Sequence, residues 1–206
     1  MLQLVIGNKN FSSWSLRPWL AARQAGIAFA EIPVRLGGAG SKVEILKHSP
    51  SGKVPCLIDG TTLVWDSLAI CEYLAEKNPA LWPAAPATRA EARAVSAEMH
   101  AGFTALRQNM GMDVCAAKPG AGRTPEVEAD IARIVAIWES CRSRFAAGGP
   151  FLFGAFSIAD AMYAPVVWRF ATYAVALPPL AQAWCDTMLA LPAMREWQAG
   201  ARAEAE

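Results

Sequence analysis

The chain has 206 residues, 54% of them hydrophobic and 18% charged, so it is neither disordered nor too short to bury a core without disulfides or a metal. Its 19 basic and 18 acidic residues leave a net charge of +1, which gives no strong field of one sign to hold a nucleic-acid backbone. No apolar run approaches the ~18 residues that cross a bilayer. We therefore expect neither nucleic acid nor membrane as a partner.

The five cysteines are odd in number and scattered, with no CxxC pair. This spacing is typical of neither a disulfide framework nor a zinc site, and we expect no metal. Reduced thiols predict a cytoplasmic protein. The first residues also lack the basic segment and cleavage site of a signal peptide.

Strand and helix signals alternate over the first 78 residues. Hydrophobic periodicity and turn residues predict, in chain order, a strand at 2–6, a helix at 15–25, a strand at 29–36, a helical turn at 42–47, strands at 54–59 and 62–65, and a helix at 66–77. Asp59-Gly60 is a tight-turn signal that joins the last two strands as a hairpin. This order predicts an α/β unit with a mixed four-stranded, thioredoxin-like sheet.

The remainder of the chain is predicted to be helical. Residues 78–88 contain three prolines and are typical of a linker. Helices are expected at 89–110, 126–147, 157–176, 180–191 and from 192 onward. The domain prediction is thus a thioredoxin-like domain at 1–78, a linker at 79–87 and an all-helical bundle at 88–206.

Ser157-Ile158-Ala159-Asp160 has the pattern of a capping box at the start of a helix. The Ser157 hydroxyl and the Asp160 carboxylate can each bond a backbone N–H at the helix start. We interpret this motif mainly as a folding signal.

Three short motifs combine polar groups with predicted helix or strand starts. Ser12 and Ser13 precede the first helix, where free N–H groups and a hydroxyl can hold an anion or a thiolate, or where the serines act only as caps. Pro55 begins a strand, and a cis bond there would let the Val54 backbone pair with a peptide-like ligand. At the start of the third helix, Ser67 and the free N–H groups can bind a carboxylate, and Asp66 can pair with an ammonium group. Alternatively, these two residues act only as a cap.

Taken together and in this order, the motifs resemble the glutathione transferase superfamily over essentially the whole chain. The resemblance includes the proline-rich linker and the S-I-A-D box. The serine-type classes, and zeta in particular, have a helix-start motif Ser-Ser-Cys-Ser-x-Arg, which stands here as Ser12-Ser13-Trp14-Ser15-Leu16-Arg17.

The resemblance implies a role for each matching residue. Ser12, with Ser13 as the next choice, would hydrogen-bond the glutathione sulfur. Lys53, with help from Lys42, would hold the glycyl carboxylate of glutathione. The backbone of Val54, ahead of a cis Pro55, would pair with the cysteinyl part. Asp66 and Ser67 would hold the γ-glutamyl end.

A second substrate is expected between the domains, against aromatic, methionine and arginine side chains. The candidates are Trp14, Phe103, Arg107, Met110, Met112 and Trp168, although residues at helical spacing are more often core residues. Arg107 is expected to need an acidic partner or substrate. We expect Arg17 to pair with a carboxylate inside the fold, and His48 and His100 to take no part in catalysis.

The resulting prediction is a transferase that activates glutathione as a thiolate for attack on an apolar electrophile, without a covalent enzyme intermediate. Trp14 departs from the motif's cysteine, which counts against the first alternative, a maleylacetoacetate-type cis–trans isomerase. The second alternative is a non-catalytic binding module with the same fold. The resemblance also implies a homodimer.

Overall fold

A mixed four-stranded sheet forms the first part of the molecule, for which a computed structural model describes residues 1–204. The strands are β1 (Leu2–Gly7), β2 (Phe29–Val34), β3 (Cys56–Asp59) and β4 (Thr62–Val64). Their order is β2-β1-β3-β4, with β1 parallel to β2 and antiparallel to β3. The Asp59–Thr62 pair closes the β3–β4 hairpin, as the Asp-Gly signal predicted.

Nine α-helices are found in residues 1–204. They are α1 (Ser13–Gln24), α2 (Ser41–Leu46), α3 (Ser67–Lys77), α4 (Pro86–Ala101), α5 (Thr104–Asn109), α6 (Pro125–Phe145), α7 (Ile158–Tyr173), α8 (Pro179–Ala190) and α9 (Pro192–Ala203). The predicted fold class, a thioredoxin-like sheet followed by a helical bundle, is confirmed. The domain limits at 78 and 87 stay a prediction. No helix in these residues has the length and apolarity to cross a bilayer.

Helix α7 joins the two parts of the fold. It is buried on nearly every face, and it packs against α1 from the sheet-bearing part and against α4 from the bundle. Helix α1 in turn packs against α3. The starts of α1 and α3 are therefore held side by side on a shared core, with α7 behind them.

The single helix predicted for residues 89–110 is wrong, because the chain breaks between α4 and α5. Phe103 has a left-handed backbone, with φ +60°. A Cβ at Gly102 would lie 2.9 Å from the Glu98 carbonyl oxygen, which is closer than real Cβ atoms approach. The break turns α5 back toward α6, against which it packs.

Gly122 provides a stability test of the loop before α6. Its φ is +71°, and a Cβ there would overlap the Asn109 carbonyl oxygen, whereas Gly120, with φ +72°, has open space around its Cβ position. We expect Gly122→Ala to lower the free energy of unfolding by about 3 kcal/mol and Gly120→Ala by only about 1 kcal/mol. Urea denaturation of both variants measures the difference in stability. Equal losses would show that the loop can move the Asn109 carbonyl oxygen away from the new Cβ.

Candidate functional site

A cleft of about 530 Å³ opens where α1 and α3 begin. Six of its lining residues were predicted as site residues, and two, Ser51 and Trp65, were not. The lining residues are Trp14, Ser51, Lys53, Val54, Pro55, Trp65, Asp66 and Ser67. The predicted contact residues of the sheet-bearing part thus converge on one cavity, apart from Ser12, Ser13 and Lys42.

The segment before β3 forms one wall of the cleft. The Val54–Pro55 peptide bond is cis, as the resemblance implied, and the Trp65–Asp66 bond is also cis. Lys53 is exposed beside the cleft. Lys42, on α2, is not among the lining residues, although its side chain lies near Gly52.

The start of α3 combines a helix cap with an unpartnered hydroxyl. Asp66 Oδ1 accepts hydrogen bonds from the N–H groups of Leu68 (3.1 Å) and Ala69 (3.4 Å), so the residue is a cap as well as a cleft residue. Ser67 Oγ is buried and has no hydrogen-bond partner among the described residues. A buried hydroxyl without a partner is costly, which makes it a natural contact for a polar ligand.

His100, which no sequence motif placed in the site, bonds Asp66 from α4. Its Nε2 lies 2.8 Å from Asp66 Oδ2, and its ring packs edge-on against Trp14. Burial lowers the pKa of His100, with nearby Arg17 and Arg107 acting in the same direction and Asp66 opposing them. Asp66 therefore presents a carboxylate to the cleft beside a histidine that gives up its proton easily.

Ser12 and Ser13, at the start of α1, differ in their hydrogen bonding. Ser12 Oγ donates to Ser15 Oγ at 2.7 Å, and Ser15 Oγ also accepts from the Gly7 N–H. Ser13 Oγ instead accepts a 3.4 Å bond from Arg169 on α7. No acceptor for the Ser13 hydroxyl hydrogen is found in residues 1–204. Ser13 is thus the serine whose hydroxyl remains able to donate.

The expectation that Arg17 pairs with a carboxylate is wrong. The side chain is 2% exposed, and its Nε and Nη1 have no hydrogen-bond partner among the described residues. The guanidinium stacks on the Trp14 ring, 4.3 Å from the ring centroid. Burial, reinforced by Arg107, lowers the pKa of Arg17 to about 9, which still leaves it charged at neutral pH.

The predicted second-substrate residues separate into two groups. Trp14 lines the cleft, and Arg107 also lies against its ring, with Cζ 4.7 Å from the centroid. Arg107 also donates to the Met99 and His100 carbonyl oxygens. The other four are buried core residues, namely Phe103, Met110, Met112 and Trp168. Their burial counts against a role in lining the pocket. The sequence could not show this, because helical periodicity does not distinguish a core face from a pocket face.

Two family descriptions match the chain and together cover more than half of it. Residues 11–77 match "Glutathione S-transferase, N-terminal domain", and residues 124–198 match "Glutathione S-transferase, C-terminal domain". The chain belongs to the glutathione S-transferase superfamily.

Curated relatives match over shorter stretches. A "Glutathione S-transferase zeta class" protein from Euphorbia esula is 42% identical over 69 residues, which is 33% of this chain and 31% of the relative. A maleylacetoacetate isomerase from Mus musculus is 39% identical over 106 residues, 48% of this chain and 47% of the relative. The matches thus span between about a third and a half of these relatives.

Solved structures match over nearly the whole chain. A theta class glutathione S-transferase from Xanthomonas axonopodis pv. citri, with glutathione bound, is 29% identical, with TM-score 0.65 and coverage of 97% of this chain and 96% of the other. A glutathione transferase homolog from Burkholderia gl BGR1, also with bound glutathione, covers 98% of both chains with TM-score 0.75. At 21% identity the second match supports the fold alone.

Proposed function

We propose that the chain is a glutathione transferase that binds glutathione in the cleft and activates its thiol for attack on an apolar electrophile. The observation that carries the proposal is the unpartnered Ser67 Oγ in the cleft, together with the unpartnered Arg17 guanidinium that lies against the Trp14 ring. Glutathione offers two carboxylates, an ammonium and a thiol. These groups match the exposed Lys53, the Asp66 carboxylate and the buried donors.

In the proposed binding mode, each part of the tripeptide meets a group of matching charge. Asp66 takes the ammonium, Ser67 and the start of α3 take the γ-glutamyl carboxylate, and Lys53 takes the glycyl carboxylate, with Lys42 at longer range. The Val54 backbone pairs with the cysteinyl unit ahead of Pro55. Ser13 donates its hydroxyl hydrogen to the sulfur, and Ser12 is the alternative donor.

The proposed reaction needs no covalent enzyme intermediate. The thiol proton passes to solvent, and the sulfur then uses its electron pair to form a carbon–sulfur bond with the electrophile. In a substitution the leaving group departs with its bonding pair; in an addition the neighbouring carbon takes a proton from water. The protein contributes a lower thiol pKa and the proximity of both substrates.

The ultraviolet thiolate band of glutathione, titrated against pH with the wild-type protein, Ser13→Ala and Ser12→Ala, tests the proposal. We expect the wild type to show the band near neutral pH, against about 8.5 for a free thiol. Because a hydrogen bond to a charged group contributes about 1.5–3 kcal/mol, Ser13→Ala should raise the thiol pKa by about one to two units. Ser12→Ala should leave it nearly unchanged.

The other outcomes of this titration assign the role elsewhere. A shift confined to Ser12→Ala would make Ser12 the donor. No band, together with no binding by calorimetry, would leave a non-catalytic binding module as the best proposal.

Glutathione-dependent isomerisation of a dicarboxylate is a second candidate. The guanidiniums of Arg17 and Arg107, which both lie against the Trp14 ring, favour it because they suit an anionic substrate. The isomerase name of the Mus musculus relative agrees with this candidate. Turnover of a cis dicarboxylate without net consumption of glutathione would support it over conjugation.

The homodimer and the cytoplasmic location are also proposals. In the dimer, α3 would face the long helices of the partner. Exposed Leu63 and Trp65, just before α3, give that surface apolar area. Light scattering at two concentrations measures the mass of the assembly.

A further inference from the structure

Arg17 is a buried charge whose guanidinium forms no ion pair with any carboxylate among the described residues. Its guanidinium lies behind Trp14, and its charge acts on Asp66 and Cys71 of α3, so it sits against the first turns of that helix. An uncompensated buried charge costs several kcal/mol, and replacement of such a group by an apolar side chain is often stabilising. An anion that enters the cleft would offset this cost.

Arg169 brings a second buried guanidinium to the same place. Besides its bond to Ser13 Oγ, it donates to the Met110 carbonyl oxygen, and it is 6% exposed. Burial lowers the pKa of Arg169 to about 10, with Arg107 contributing, so it too stays charged at neutral pH. Ser13 and Arg17 are four residues apart on α1, which places them on one face of the helix. The Ser13 hydroxyl therefore has a guanidinium beside it and another one turn along.

We propose that Arg17 and Arg169 supply the positive charge that stabilises the glutathione thiolate at Ser13. Besides its charge, Arg169 also positions Ser13, because its bond to Ser13 Oγ leaves the hydroxyl hydrogen free to point at the sulfur. Arg17 acts through its charge, because its guanidinium makes no hydrogen bond to a carboxylate among the described residues. The inference rests on the proposed function, since it assumes that glutathione occupies the cleft.

Other charged groups around this position are few. Asp66 and Cys71 face it from α3, His100 from α4, Arg107 from α5 and Tyr173 from the end of α7. Burial raises the pKa of Cys71 to about 12, so Cys71 is neutral, and His100 is neutral at and above neutral pH. Three guanidiniums then face the half-exposed Asp66 carboxylate, with Asp130 acting on Arg107, and the balance favours an anion.

The test measures the thiol pKa of bound glutathione from its thiolate band in Arg17→Met, Arg17→Lys, Arg169→Met and Arg169→Lys. A unit charge at several ångströms, in a medium of effective dielectric constant about 20, changes a pKa by about one unit or more. We expect both Met variants to raise the thiol pKa by about that much and both Lys variants to restore part of the shift. Arg142→Met is the matched control, since Arg142 is also buried but bonds the Phe151 carbonyl oxygen.

Binding of S-methylglutathione, which has no ionisable thiol, separates a thiolate role from a carboxylate role. We expect its Kd to change less than threefold in the Met variants. A Kd that rises about tenfold with an unchanged thiol pKa would overturn the inference and assign the arginines to a carboxylate. An unchanged pKa in both Met variants with glutathione still bound would overturn it while the proposed function stands. Absence of glutathione binding by the wild type would overturn both.

Thermal unfolding of the ligand-free protein adds a readout that does not depend on glutathione. Removal of an uncompensated charge should leave the Tm of Arg17→Met equal to or above that of the wild type. Arg142→Met, which loses a satisfied hydrogen bond, should have a lower Tm. Equal losses in the two variants would contradict the view that the Arg17 charge lacks a partner.

Discussion

Asp160→Ala is expected to lower the free energy of unfolding by about 4 kcal/mol, because it removes the acceptor of four buried donors. The carboxylate is fully buried. It accepts bonds from the Leu152 N–H and the Trp184 indole at 2.9 Å, and from both the N–H and the hydroxyl of Ser157 at 2.9 and 3.1 Å. Burial raises the pKa of Asp160, while the four donors oppose that rise.

The size of this effect follows from what the four bonds connect. They link the capping box at the start of α7 to the loop before it and to α8. Since α7 also packs against α1, loss of the carboxylate would loosen the helix that supports the cleft. Asp160 thus contributes to the site only through the fold.

Urea denaturation followed by circular dichroism measures the loss. The control is Asp186→Ala, which removes an exposed carboxylate that accepts one bond from Gln182, and it should change stability by less than about 0.5 kcal/mol. If Asp160→Ala cost less than about 1 kcal/mol, the interpretation of Asp160 as the central acceptor of this network would be wrong.

The sequence was sufficient for the fold class because the signals that define it are local. The Asp59-Gly60 turn fixes the hairpin, and the Ser157–Asp160 pattern fixes the start of α7. Six cleft residues were found for the same reason, since each lies at a helix or strand start that a short motif identifies. Their convergence follows from the sheet order.

The features that were missed depend on contacts between distant segments. His100 meets Asp66 across 34 positions of sequence, and no motif links them. The lack of a carboxylate partner for Arg17 appears only when α1, α3 and α7 are packed together. Phe103 and Met110 belong to a helical stripe that could equally line a pocket, and only packing shows that they are buried. Gly102 was the one local signal that could have indicated the break between α4 and α5.

Asp66→Asn is expected to weaken glutathione binding by about 10- to 100-fold with little change in stability. The asparagine side-chain oxygen can still accept from the Leu68 and Ala69 N–H groups, so the cap of α3 is kept. The lost charge removes the proposed contact with the glutathione ammonium. A hydrogen bond between charged groups contributes about 1.5–3 kcal/mol, which corresponds to that range of Kd.

Isothermal calorimetry gives the Kd, and urea denaturation should give a stability within about 0.5 kcal/mol of the wild type. The control is Asp59→Asn, which removes the same charge from the sheet-bearing part, where the carboxylate bonds Tyr73 and Lys77 and does not line the cleft. It should leave the Kd within about threefold. A similar Kd for both variants would remove Asp66 from the proposed ammonium site.

The pH dependence of binding gives an independent check on the same contact. A ligand ammonium must share or replace the bond between Asp66 and His100, and protonation strengthens that bond. Because burial lowers the pKa of His100, its protonated form gains population only on the acid side of neutrality. Glutathione affinity should therefore fall as the pH is lowered through that range in the wild type. In Asp66→Asn this dependence should be much weaker, because the carboxylate for which the two cations compete is gone.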